Sequence, residues 1–137
     1  MKLIPQGEGI RMVDSLLYHD DTLSRTEFFI QKNNLFIVEG CFSEEGMIEN
    51  IAQSSAIRTS WNGWNNSADN EFLPQVGIIG AVKNFRLYRN PLIDTKIITE
   101  VEVLAEIFNA TMIHGKIIQD GELLAEAELK IFIQDIQ

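Results

Sequence analysis

The sequence predicts an α+β fold in which one long central helix is wrapped by an antiparallel β-sheet, and three observations carry that expectation. Only one segment, Ser43 to about Trp61, shows sustained helical spacing of its apolar and small residues. Four strand-like stretches follow it, the last two joined by an Asp120-Gly121 hairpin signal. The chain has 137 residues and 45% apolar content, enough for one core without disulfides or metal, so residues 1–137 are expected to form a single domain.

The elements follow in order. Ile10 to Leu17 is an apolar run interrupted by Arg11 and Asp14 and closed by His19-Asp20-Asp21, which places His19 in a turn after the first strand. Thr22 to Ile30 is rich in β-branched and aromatic residues, Asn33-Asn34 marks a turn, and Leu35 to Val38 is a short apolar strand. After Gly40 the pattern changes. Ser43 is a good N-cap, and Glu44 and Glu45 sit in the first turn, where the helix dipole favours negative charge. Met47, Ile48, Ile51, Ala52, Ser55 and Ala56 recur at helical spacing, and their small size lets a curved sheet approach closely. Trp61 to Asn70 is dense in turn formers and reads as a loop, with Trp61 and Trp64 placed either to cap the helix or to wall a tunnel. Gln75–Arg89, Lys96–Phe108, Asn109–Ile118 and Glu122–Ile133 complete a meander. In the last of these, Leu124, Glu126, Glu128 and Lys130 should face one way and Ala125, Ala127, Leu129 and Ile131 the other. Edge strands this long tend to pair across a subunit interface, so a dimer is expected.

Composition removes several function classes. With 20 acidic against 11 basic residues the net charge is −9, which disfavours nucleic acid as a partner. No run approaches the ~18 apolar residues a membrane helix needs, and the first residues lack the apolar stretch of a secretion signal. The single cysteine, Cys41, rules out an intrachain disulfide and any multi-cysteine zinc site, and fits a reducing cytoplasm. No metal-ligand spacing, phosphate-cradling glycine loop or nucleophile elbow is present, and no cofactor is expected.

Four segments carry a family resemblance. Ile4-Pro5-Gln6 leading to Val13-Asp14 resembles the Leu-Pro-His and Val-Asp opening of beta-hydroxyacyl-acyl-carrier-protein dehydratases, with Gln6 where that histidine stands. Gly40-Cys41-Phe42 resembles their Gly-His-Phe, Glu49-Asn50-Ile51-Ala52-Gln53 their Glu-x-Met-Ala-Gln, and Phe85 through Pro91 their Phe-x-x-Pro strand at altered spacing. The matches come in the family's order and cover nearly the whole chain. The resemblance implies a hot-dog fold acting on acyl thioesters in fatty-acid or polyene-type lipid biosynthesis. It also implies a homodimer or a heterodimer with a related hot-dog subunit. The shortened spacing from Cys41 to Glu49 is similar to that of divergent dehydratase-like proteins of aryl-polyene pathways, in which catalytic and non-catalytic subunits pair.

In that family one histidine and one carboxylate, from opposite sides of a dimer interface, share the acid–base work. Dehydration of a 3-hydroxyacyl thioester needs a base for the α-proton, an acid for the departing hydroxyl and donors for the thioester oxygen. The resemblance assigns the carboxylate to Glu49 and the vacated histidine position to Cys41. A free thiol ionises near pH ~8.5 and replaces an imidazole poorly, and Glu44 and Glu45 count against the thiolate; a small buried filler is the alternative reading of Cys41. Gly46, Gln53 and Phe42 are the candidates for substrate contact. His19 and His114 are expected to be exposed or structural. Lys83, Arg86 and Arg89 form either a docking patch for an acidic acyl carrier protein or a set of solvated strand charges. Three functions therefore stay open: a dehydratase acting on an acyl-carrier-protein or coenzyme A thioester, a non-catalytic subunit that completes a catalytic homologue, and a thioesterase.

Overall fold

The computed structural model describes residues 11–66 and 75–135. Residues 4–10 of the opening motif and residues 67–70 of the expected loop lie outside them, as do the side chains of Trp61 and Trp64. Eight strands and one helix run in the order β1 (Ser15–His19), β2 (Leu23–Phe29), β3 (Ile37–Val38), β4 (Cys41–Phe42), α1 (Glu44–Asn66), β5 (Gln75–Leu87), β6 (Lys96–Ile107), β7 (Ala110–Gln119) and β8 (Glu122–Asp135). Six strands form one antiparallel sheet in the order β1-β2-β6-β7-β8-β5, and β3 and β4 form a separate two-stranded hairpin. The helix lies on one face of the six-stranded sheet and packs against all six of its strands through Ile51, Ile97, Val101, Ile113, Ile117, Leu129 and other core residues.

Turn chemistry sets the register of the hairpins. Asp120 and Gly121 both adopt positive φ, at 51° and 80°, as a two-residue type I′ connection requires, and they pair Gln119 with Glu122. Glu39 and Gly40 do the same at 51° and 77°, pairing Val38 with Cys41, so the turn itself delivers Cys41 to its place. The helix starts as the sequence indicates: Ser43 Oγ accepts from the Gly46 N–H at 3.3 Å, and Glu44 and Glu45 occupy the first turn.

The structure departs from the sequence reading in four places. The helix continues to Asn66, more than a turn past Trp61. The glycine and asparagines there each cost at most about 1 kcal/mol, which a cooperatively propagating helix with a buried middle, Asn50 to Arg58, absorbs. The apolar run after Ile10 is not a strand at first: Met12 and Val13 are consecutive and both buried, which period-two alternation forbids, and β1 begins only at Ser15 and includes His19. The stretch from Leu35 contributes only Ile37 and Val38 to a strand. In β8, Leu124 is buried with Ala125 rather than facing out with Glu126, because the pairing slips between Ile117–Ala125 and Ile118–Leu123 and leaves Leu124 as an extra residue.

From Asn50 to Arg58 every helix residue is buried, so the helix is covered on all sides over more than two turns. Its polar side chains find partners inside: Ser54 Oγ lies 2.7 Å from Thr26 Oγ1, and Thr99 Oγ1 donates to Asn50 Oδ1. Arg58, 5% exposed, donates through Nη2 to the Asp21 carbonyl at 2.8 Å and faces Glu106 at 3.7 Å. It thereby ties the helix to the β1–β2 turn. Helix and sheet approach most closely at Gly115, where a Cβ would lie 2.4 Å from Cγ2 of the fully buried Ile51. Gly115→Ala is therefore expected to lower stability by about 1–3 kcal/mol through overpacking, read as a lower denaturant midpoint at unchanged m.

Candidate functional site

The fold brings the four sequence segments together in two pairs. Residues 11–14 lie against the helix motif: the Met12 N–H donates to Gln53 Oε1 at 2.7 Å, and Asn50 Nδ2 donates to the Met12 carbonyl at 2.5 Å. Asp14 fastens the same segment to β2 by accepting from the Phe29 N–H at 2.7 Å. The β4 segment pairs with the stretch around Pro91. The Phe42 N–H donates to the Pro91 carbonyl at 2.8 Å, Asn90 Nδ2 donates to the Phe42 carbonyl at 2.9 Å, and Cys41 bridges to Leu92.

Glu49 sits on the second turn of α1, half-buried. Its Oε1 accepts from Gln53 Nε2 at 3.1 Å, one turn on along the helix. Burial pushes the Glu49 carboxyl above its ordinary range, and the Gln53 hydrogen bond pulls the other way without cancelling the shift. The folded chain thus holds a proton on Glu49 in a pH window where the unfolded chain has lost it. Folding stability from this group falls as pH rises through that window. Glu49→Gln removes the effect, so the melting-temperature difference between variant and wild type should move in the variant's favour from about pH 4 to about pH 8.

Cys41 is half-buried and opens onto a surface cleft of about 510 Å³. Glu39, Glu44 and Glu45 line that cleft with Ser43 and Asn90; none of its lining residues is basic, and Glu49 is not among them. Among the described residues, then, the cysteine and the carboxylate do not line that cleft together. Phe42 is fully buried, its ring 5.7 Å from that of Phe28. Gly46 lies beneath it: a Cβ there would come within 2.5 Å of Phe42 Cε1 and 2.8 Å of Phe36 Cβ, so the space beside the helix N-terminus is filled by aromatic side chains.

The remaining candidates lie elsewhere. His114 projects from the sheet face opposite the helix and pairs with Glu126 at 3.0 Å, which also accepts from the Tyr88 hydroxyl at 3.2 Å. His19 Nδ1 lies 2.9 Å from Ser24 Oγ at the β1–β2 connection, inside the strand rather than after it. Arg86 and Lys83 are exposed and stand opposite Glu126 and Glu128 in the β5–β8 register, and Arg89 pairs with Glu122 at 3.2 Å. The sequence reading missed Asn50 and Thr99. No local signal marks them, because their partners lie 38 and 49 residues away; the one clue is an asparagine in the middle of a helix of otherwise small and apolar inner residues.

A long helix against a curved six-stranded antiparallel sheet, with a half-buried carboxylate on its second turn, defines a hot-dog protein. The chain belongs to the ApeP-like family, described as the ApeP dehydratase family, whose model matches residues 1–137. Among solved structures it is similar to the dehydratase heterocomplex ApeI:P from Xenorhabdus doucetiae, at 12% identity over 97% of this chain and 89% of that one, with a TM-score of 0.82. A hypothetical thioesterase with coenzyme A from Streptococcus pneumoniae TIGR4 matches at 11% identity over 90% of each chain, TM-score 0.66. The smu.793 protein from Streptococcus mutans UA159 bound to acetyl CoA matches at 6% identity over 89% of each, TM-score 0.62. At these identities the structural likenesses carry the fold. No curated protein matches the chain. None of the helices among the described residues is long and apolar enough to cross a membrane.

Proposed function

We propose that this chain supplies the carboxylate half of a dehydratase site for 3-hydroxyacyl thioesters, beside a related hot-dog subunit that supplies a histidine. The observation that carries the reading is Glu49: a half-buried carboxyl, biased toward its protonated form and held by an amide, on a helix whose preceding strand carries Cys41 in place of histidine. Glu49 then acts as the proton donor. The partner's base removes the α-proton, the electron pair forms the Cα–Cβ double bond, the Cβ–O bond breaks, and the Glu49 proton leaves with the hydroxyl as water.

Membership of a dehydratase family and likeness to a dehydratase heterocomplex support both the chemistry and the two-subunit arrangement. Two structural neighbours, one with coenzyme A and one bound to acetyl CoA, support a thioester as the substrate class. The carrier is an acyl carrier protein or coenzyme A, and the setting is fatty-acid or polyene-type lipid biosynthesis in the cytoplasm.

The test incubates the purified chain with a 3-hydroxyacyl-carrier-protein thioester, alone and with a histidine-bearing hot-dog homologue, and follows loss of water by mass. The expected result is no turnover alone and enoyl product with the partner. Release of free thiol without enoyl product would replace this reading with a thioesterase. Full turnover by the isolated chain would mean that Cys41 or solvent completes the site without a second subunit; Cys41→His in the isolated chain should then add little.

A further inference from the structure

The Glu49 carboxylate does not stand alone; a chain of buried amides leads away from it. Gln53 donates to Glu49 Oε1, Gln53 Oε1 takes the Met12 N–H, Asn50 Nδ2 holds the Met12 carbonyl, and Thr99 Oγ1 donates to Asn50 Oδ1. Met12 and Asn50 are fully buried, and Gln53 and Thr99 nearly so. Side-chain amides can turn over, but here neither has a choice. A backbone N–H only donates, so the oxygen of Gln53 must face Met12 and its nitrogen must face Glu49. A backbone carbonyl only accepts, so the nitrogen of Asn50 must face Met12, and the Thr99 hydroxyl supplies the donor its oxygen needs. Met12 is thus gripped at both polar groups of its backbone by two helix side chains three positions apart.

We propose that Asn50 is a positioning residue for Glu49: by gripping Met12 against the helix it locks the Gln53 amide, which occupies Oε1 and leaves Oε2 as the oxygen that gives up the proton. The inference rests on the dehydratase reading above and adds to it the device that selects the working oxygen. It also gives residues 11–14 a task at the site, although none of their side chains touches the carboxylate.

Asn50→Asp tests it, because the new side chain keeps the shape and the acceptor for Thr99 but sets a second acceptor against the Met12 carbonyl. In the reconstituted two-subunit enzyme, kcat should fall roughly tenfold to a hundredfold, the range a small misplacement of a reacting group produces, with KM within about twofold. The basic limb of the pH–rate profile should move to higher pH, since an unlocked Gln53 no longer favours the Glu49 carboxylate. Thr99→Val should shift both readouts in the same direction by less. A folded Asn50→Asp protein with unchanged kcat, or with lower kcat and an unmoved basic limb, would overturn the proposal; the second result would mark a merely structural residue.

The wild-type chain supplies a test that needs neither folding of a variant nor turnover. The Gln53 side-chain amide protons should shift with the Glu49 titration in an NMR pH series, and the Met12 amide should be strongly protected from hydrogen exchange. A flat Gln53 response or a Met12 amide exchanging at the rate of an open chain would overturn the inference. Glu49→Gln that retains full turnover would remove the dehydratase reading instead, and the NMR result would stand apart from it.

Discussion

Glu49→Gln should lower turnover of a 3-hydroxyacyl thioester by a factor of about 10²–10⁴, the span expected when a general acid is lost, while the substrate is bound nearly as well. The substitution keeps size and hydrogen bonding: a glutamine oxygen still accepts from Gln53 Nε2, so the helix and its grip on Met12 survive. What disappears is the carboxyl group able to give up a proton, whose ionisation burial disfavours. The same variant gains stability relative to wild type at neutral pH, because the half-buried carboxylate no longer has to ionise. Loss of activity together with a gain in melting temperature marks a residue retained for chemistry rather than for folding. A structural glutamate would lose both.

Phe42→Ala should cost about 3–5 kcal/mol, a large share of the roughly 5–15 kcal/mol that a domain of this kind possesses. The side chain is fully buried, its ring is tilted at 48° against Phe28, and it fills the space above Gly46. No described side chain is placed to collapse into a void there, because the hairpin behind it is pinned by the Pro91 and Asn90 hydrogen bonds. A melting temperature lower by roughly 10–20 °C is the expected readout. The damage should extend to function, since Phe42 immediately precedes the Ser43 cap from which the helix, and hence Glu49, is launched. A loss under about 1 kcal/mol would mean that the aromatic layer at the helix N-terminus is not the well-packed element described above.

The sheet was legible in the sequence to a degree that follows from its chemistry. β6, β7 and β8 begin and end within two residues of the expected bounds, because Asp120-Gly121 fixes one hairpin and alternation of Ile, Val and Thr with charged residues marks the rest. The helix start was equally clear from Ser43 and the two glutamates. The failures share a cause: burial that no local pattern announces. Leu124 turns inward at a slip in pairing, Met12 and Val13 are both covered because the chain before β1 is irregular, and the helix outlasts its own turn-forming residues. At the site, the family motifs located Glu49, Gln53 and Cys41, but the relation among them is spatial. Gln53 meets Glu49 as helical spacing requires, whereas Cys41 opens onto a different, acidic cleft, and nothing in the linear sequence separates those outcomes.

The surroundings of Cys41 bear on the division of labour. Its cleft presents Glu39, Glu44 and Glu45 and no basic group, an unfavourable setting for an acidic carrier protein. Of the cations expected to form a docking patch, all exposed, Arg89 pairs with Glu122, and Lys83 and Arg86 stand opposite Glu128 and Glu126 in the β5–β8 register.

The arrangement stands or falls with where Glu49 points once two subunits meet. A crystal structure of this chain with its histidine-bearing neighbour and a non-reactive 3-hydroxyacyl thioester analogue measures that directly. The account predicts Glu49 Oε2 within hydrogen-bond reach of the analogue's hydroxyl, with the neighbour's imidazole on the α-carbon side. A Glu49 carboxyl facing solvent, with the analogue bound only among the neighbour's residues, would contradict it.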